Sequence, residues 1–274
     1  MKRIYLVFLF IILATFALVL PAYAIFCSQC GTQNPDDAVY CSNCGAKLLH
    51  PKETDIYREA SDLFSQYRYD QAIPLLVKYC VINPADTKAE VLLAKAYLGK
   101  CTLLKENNDE QYRTLVWKPF NIGKKVIVQH EYEPKYLSEG LYICAHSYLI
   151  NHREGKAKRY IKKAIKVSPS SSPEIDYYFV LGDANTKLAI IEYRKRSEST
   201  FPRLYKEAQE TYEQIIAMDV SDEIKSQAYY KLGILFSEFN KKEEAKIALE
   251  SALQSTNNEI LASRIHSKLE NIDK

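Results

Sequence analysis

The chain has 274 residues, 47% hydrophobic and 26% charged, with only 8 Gly against 37 Lys plus Arg and 34 Asp plus Glu. That balance describes a globular protein with a core, built from helices rather than sheets. The formal charge is +3; without Lys2 and Arg3, 35 basic side chains face 34 acidic ones, which removes any general reason to expect nucleic acid.

Residues 1–24 read as a targeting segment. Lys2 and Arg3 precede an apolar run from Ile4 to Leu20 broken only by Thr15, and Pro21-Ala22-Tyr23-Ala24 follows. A basic start, an apolar stretch and an A-x-A ending fit a signal peptide cut after Ala24. The run of 17 residues also reaches the lower limit for an uncleaved N-terminal membrane anchor. Both readings export the body, to a periplasmic or extracytoplasmic location or to the inner membrane surface.

Residues 25–49 form the second segment. Residues 26–48 read FCSQCGTQNPDDAVYCSNCGAKL, two C-x-x-C-G knuckles ten residues apart. This stretch resembles the short zinc ribbons of many bacterial proteins. The resemblance implies structural Zn²⁺ held by Cys27, Cys30, Cys41 and Cys44, with every coordination position filled by protein. Gly31 and Gly45 supply positive φ after each pair, and Asn34-Pro35-Asp36-Asp37 supplies the turn between them. Phe26, Val39, Tyr40 and Leu48 are the expected apolar cover. So few residues bury too little surface to fold alone, and metal supplies the missing free energy. In an oxidising compartment the same four cysteines form two disulfides or a redox switch as the alternative. Cys80, Cys101 and Cys144 lie singly in helical stretches and read as small buried apolar residues.

From Glu53 onward the apolar spacing is helical and recurs. Ala60 and Leu63 are followed by Ala72, Leu76, Tyr79 and Pro84. Ala145 and Tyr148 are followed by Ala157, Ile161, Ala164 and Pro169. Gly233 and Phe236 are followed by Ala245, Leu249 and Ala252. In each set the small residue of a first helix lies 12 residues before the alanine of a second. Two more sets begin alike but run long, one from Ala94 and Tyr97 and one from Leu181-Gly182, resuming at Ala208, Tyr212 and Ile215. The pattern resembles tetratricopeptide (TPR) repeats, in which small residues let two antiparallel helices approach closely. The expected fold is all-α: a TPR-like solenoid over 53–274, with hairpins at 53–86, 87–137, 138–174, 175–225 and 226–257 and a capping helix at 258–274. The 14 extra residues between Gly182 and Ala208 predict about 10 Å added to each helix of that hairpin.

Such a stack curves, with its first helices on the concave side. One first-helix position is filled by Tyr57, Val91, Tyr142, Phe179 and Tyr230, and these are the expected contacts for a protein or peptide partner in the groove. The basic run GKAKRYIKKAIK, 155–166, reads as a solvated outer face with Ala157, Ile161 and Ala164 turned inward. The sequence contains no phosphate loop, no G-x-G-x-x-G, no G-x-S-x-G and no H-E-x-x-H, so neither an enzyme nor a small-molecule substrate is expected. The expected function is a non-enzymatic interaction scaffold or adaptor at the bacterial cell envelope. The alternatives are a thiol- or zinc-responsive sensor, and an accessory subunit of an envelope secretion or assembly machine.

Overall fold

The structure, a computed structural model, describes residues 25–272 apart from 28, 36–37, 49–50, 170–173 and 198. The expected targeting segment, 1–24, lies outside the described residues. Among the described residues no helix is long and apolar enough to cross a membrane. The chain divides into two compact units, one ending at Asp62 and one beginning at Leu63.

In the first unit β1 (Ile25–Phe26) pairs antiparallel with β2 (Gln33–Asn34), placing Ile25 opposite Asn34 and Phe26 opposite Gln33. A single antiparallel bridge joins Tyr40 to Lys47. The boundary between the units falls within α1 (Pro51–Ser65).

The second unit is a run of helix pairs: α2 (Tyr69–Ile82), then α3 (Thr87–Glu106) with the short α4 (Tyr112–Leu115) and α5 (Trp117–Gln129), then α6 (Pro134–Ile150) with α7 (Glu154–Val167). These are followed by α8 (Ile175–Arg194) with α9 (Thr200–Ala217), α10 (Asp222–Glu238) with α11 (Lys242–Gln254), and α12 (Glu259–Ile272). The fold is a TPR-like solenoid. Local chemistry sets its helix ends. Asp86 caps α3 by accepting the Ala89 N–H at 3.1 Å. Pro134 opens α6 instead of closing the helix before it. Pro119 is the third residue of α5, where no intrahelical N–H bond is lost. Pro74 lies inside α2, past the first turn, where a proline's missing N–H would cost nothing.

The turns inside the pairs share one device. Tyr67, Asn108, His152, Arg196 and Asn240 each adopt a left-handed backbone, with φ between 53° and 60°. The next residue donates its N–H five positions back, as Arg153 does to the Tyr148 carbonyl at 2.9 Å and Lys241 to Phe236 at 3.0 Å. This is a helix C-cap built without glycine, and it closes carbonyls that would otherwise be orphaned.

Small residues form the seams. Ala145 and Ala157, and Ala94, Ala208 and Ala245, are fully buried. A Cβ on Gly182 would stand 2.5 Å from the Tyr212 ring, so the ring occupies the space the missing side chain leaves. α5 and α6 meet backbone to backbone: a Cβ on Gly140 would lie 2.9 Å from the Gly123 carbonyl oxygen. α8 continues 12 residues past Gly182, where α10 continues 5 past Gly233. α9 begins 8 residues before Ala208, where α11 begins 3 before Ala245. The long pair therefore projects by about 10 Å on one helix and about 8 Å on the other.

Candidate metal centre and concave surface

The four cysteines converge. Cys27 and Cys44 have their sulfurs 3.5 Å apart, Cys30 and Cys41 3.6 Å apart, and all four Sγ atoms lie within 4.8 Å of one another. A zinc tetrahedron with bonds of about 2.3 Å has sulfur–sulfur edges of about 3.8 Å, so the quartet fits the ion. Gly31 and Gly45 have φ of 73° and 71°, and a Cβ at either would meet nothing. Glycine is needed there for backbone conformation alone. Their N–H groups are used within each knuckle. They donate to the Cys27 and Cys41 carbonyls at 2.8 and 3.0 Å and close each knuckle. The Asn43 N–H lies 3.4 Å from the Cys41 sulfur, and the Asn34 side-chain amide donates to the same sulfur at 3.7 Å.

Buried Asn34 holds the two halves together. Its amide donates to the Thr32 carbonyl at 2.8 Å, and its Oδ1 accepts the Ser42 N–H at 2.8 Å and the Ser42 hydroxyl at 3.0 Å. The expected apolar cover is corrected. Phe26, Val39 and Tyr40 are exposed; the small core is Ile25, Leu48, Cys27 and Cys41. Strand alternation explains it, because a two-residue β1 that turns Ile25 inward must turn Phe26 out.

Proton affinities in the metal-free quartet diverge. The Thr32 hydroxyl and backbone N–H bring the Cys30 thiol down to about 6. The Cys44 N–H lowers Cys41. At Cys44 the Ala46 N–H pulls down, but hydrogen bonding to Cys30, burial and the other two sulfurs outweigh it and raise the thiol to about 12. Four sulfurs this close cannot all ionise without a cation among them. The three remaining cysteines behave differently. Burial raises Cys101 and Cys144 to about 12 and Cys80 to about 11.

In the solenoid the first helices α3, α6, α8 and α10 touch in sequence order, while the backbones of α7, α9 and α11 stay apart. The first helices therefore form the concave side. The expected row of partner-binding residues is not uniform. Val91 and Tyr142 are 7% and 6% exposed and belong to the core, where Tyr142 stacks on Tyr177 at 5.0 Å. That corrects their reading as exposed positions: neighbouring first helices approach closely enough to cover them. Half-buried Phe179 packs on the cluster around Tyr212, and half-buried Tyr230 on the cluster around Leu249. Tyr57 is half-buried in the first unit.

Polar pairs between neighbouring first helices occupy the concave side. Lys95 on α3 meets Glu139 on α6 at 3.0 Å, and Lys231 on α10 meets Asp183 on α8 at 2.8 Å. Tyr212 donates its hydroxyl to Asp183 at 2.7 Å. Nothing in the helical periodicity announced these pairs, which lie 44 and 48 residues apart. On the outer side Lys158, read as solvated, reaches Glu207 of α9 at 2.7 Å and ties one repeat to the next.

A family model for the zinc-ribbon domain matches residues 26–48, and one for the tetratricopeptide repeat matches residues 226–259. The chain thus joins a zinc-ribbon domain to a helical array that includes a tetratricopeptide repeat. Among solved structures, a thermophilic TPR protein of Thermus thermophilus is 19% identical, with a TM-score of 0.52 over 80% of this chain and 99% of that one. The apo form of the quorum sensor NprR from B. thuringiensis is 17% identical, with a TM-score of 0.51 over 81% of this chain and 57% of that one. These likenesses establish the repeat fold. No curated protein sequence matches the chain.

Proposed function

We propose that this TPR chain is a non-enzymatic interaction scaffold that works outside the cytoplasm, exported or anchored through residues 1–24, with Zn²⁺ tying Cys27, Cys30, Cys41 and Cys44. One observation carries the scaffold reading. The first helices present a continuous inner surface of half-buried charged and aromatic side chains, spread over four repeats, with helix seams closed by small residues behind it. A surface of that form suits an extended peptide or a partner helix better than a small substrate. The export reading is supported by the basic, apolar and A-x-A pattern before Ile25.

The test is site-specific photocrosslinking in cells. A photoreactive residue at Phe179 or Tyr230 should give the same protein adduct, and one at Lys163 or Ile247 on the second helices should give none. Adducts from the second-helix positions alone would overturn the reading. Mass spectrometry of the same sample reads the mature N-terminus, and a start at Ile25 establishes export with cleavage.

The exposed sulfurs of Cys30 and Cys44 favour a second reading, a thiol- or zinc-responsive sensor. Zinc content and free-thiol counts before and after mild oxidation separate it from the structural reading. A structural site keeps its metal, and a sensor releases it.

A further inference from the structure

Charge is unevenly placed along the chain, and it gathers on one second helix. α7 carries Lys156, Lys158, Arg159, Lys162, Lys163 and Lys166 against a single acid, Glu154, which is buried. Residues 4–274 hold 35 basic and 34 acidic side chains, so a helix at +5 leaves the remainder at −4. Lys156, Arg159, Lys163 and Lys166 are exposed and follow one another at intervals of three, four and three. That spacing stacks them in one stripe, opposite the buried Ala157, Ile161 and Ala164. Lys158 and Lys162 flank the stripe and reach Glu207, but the four stripe residues meet no acid among the described residues. The exposed cations of α9 differ: Arg203 lies 3.8 Å from Glu207 and Lys206 3.6 Å from Glu210. A solvated helix face intersperses its signs as α9 does, and α7 does not.

One end of the stripe is set among aromatic rings drawn from three helices. Trp117 and Phe120 of α5, Tyr148 of α6 and Tyr160 of α7 form a continuous row, with successive centroids 5.3, 5.0 and 5.4 Å apart. Three cations lie over it. The Arg153 guanidinium is 5.8 Å from the Trp117 ring, Lys156 is 5.5 Å from Tyr148, and Arg159 is 5.9 Å from Tyr160. Trp117 is exposed at the end of the row. Rings and cations therefore share one surface. Amphipathic rings beside unpaired basic groups are the combination that settles at the headgroup level of a membrane. A cluster of about four to eight Lys and Arg on one amphipathic helix attracts anionic lipid.

We infer that the outer face of α7, with Trp117 at its edge, docks on the surface of an anionic bilayer. The stripe is drawn to lipid phosphates, and Trp117 enters the headgroup layer. A bilayer suits the face better than a soluble polyanion for two reasons. The stripe runs along the outer side of the solenoid rather than within its curve, and the cations over Tyr148 and Tyr160 cover the ring faces on which a nucleic-acid base would stack. The inference rests on the export or anchoring proposed above, which sets the protein beside a membrane, and it leaves the concave surface free for a partner.

Trp117 is the only tryptophan in the chain, so its fluorescence reports the contact without a label. The full chain is mixed with vesicles carrying a small fixed fraction of headgroup spin-labelled phosphatidylcholine, in phosphatidylcholine alone or with phosphatidylglycerol. Trp117 should be quenched in the phosphatidylglycerol vesicles at low salt, recover at high salt, and stay unquenched in phosphatidylcholine. Residues 1–24 are present in both arms and in every variant. Lys163→Gln with Lys166→Gln should lower the ratio of quenched to unquenched Trp117 by about tenfold or more, and Lys242→Gln with Lys246→Gln on α11 should not. All four positions are exposed, so thermal melts should match the parent chain. Equal quenching in both lipids, or quenching that survives the α7 pair, overturns the assignment to this face. Unquenched Trp117 in phosphatidylglycerol vesicles overturns the bilayer as occupant, and labelled polyglutamate or oligonucleotide bound through the same lysines would then replace it with a soluble polyanion. Neither result touches the export and scaffold readings, which the mature N-terminus and the crosslinks measure.

Discussion

The ribbon and the solenoid solve the same problem by opposite means. Among the described residues of 25–48 four hydrophobic side chains are buried, two of which are the cysteines themselves. The helices from α3 to α8 share one cluster of fully buried residues, among them Ala94, Ile143, Ala145, Ala157, Ile161 and Ala184. In the first region a cysteine quartet placed to hold a metal stands in for a core, and in the second a repeated small-residue seam makes one. Damage to the ribbon should therefore be all-or-none and damage to the solenoid graded.

The largest effect expected is at a ligand. Cys41→Ser removes a buried sulfur and should abolish stoichiometric zinc, an apparent loss on the order of 10 kcal/mol, while helical circular dichroism persists. Metal analysis and far-ultraviolet spectra on one sample read both. Next comes a seam. Tyr212→Ala empties the space over Gly182 and takes a hydrogen bond from Asp183, and should cost the solenoid about 4 kcal/mol in denaturant unfolding with zinc retained.

Much of this contrast was legible in the sequence, and the reasons differ between regions. The cysteine quartet could be read because a metal imposes ligand type and spacing directly. The seams could be read because close helix approach demands a small residue at fixed register, as at Ala145 with Ala157 and Gly233 with Ala245. The ribbon's core could not. Phe26, Val39 and Tyr40 are larger and more apolar than Ala38 and Ala46, yet the knuckle geometry turns the smaller side chains inward. Nor could the pairs Lys158–Glu207 and Asp183–Lys231, since charges 48 or 49 residues apart leave no periodic trace. Val91 and Tyr142 occupy the anticipated register but are covered by neighbouring helices, which depends on how tightly the stack curls.

Acid should act on both regions through different groups. His146 has its proton affinity lowered to about 4, below the ordinary 6.5, by burial. Between these values the unfolded chain binds the extra proton, so solenoid stability is complete above about 6.5 and falls as the pH drops toward 4. The loss should be about 2 kcal/mol after allowing for partial exposure, and His146→Gln should flatten it in unfolding titrations. Over the same range protons compete with zinc for sulfur, so metal loss should follow a separate curve that His146→Gln does not move. The smallest expected effect is a gain. Arg196 is exposed at φ 57°, so Arg196→Gly should stabilise the solenoid by about 0.5 kcal/mol, visible as a small rise in melting temperature without change in zinc affinity.

Hydrogen exchange with and without a zinc chelator tests the division of labour most directly. Amides within 25–48, including the Gly31 and Gly45 N–H groups that close the knuckles, should lose protection when metal is withdrawn, while those of α3 to α11 keep theirs. Protection that survives in the ribbon without metal, or that collapses through the helices with it, would contradict the account.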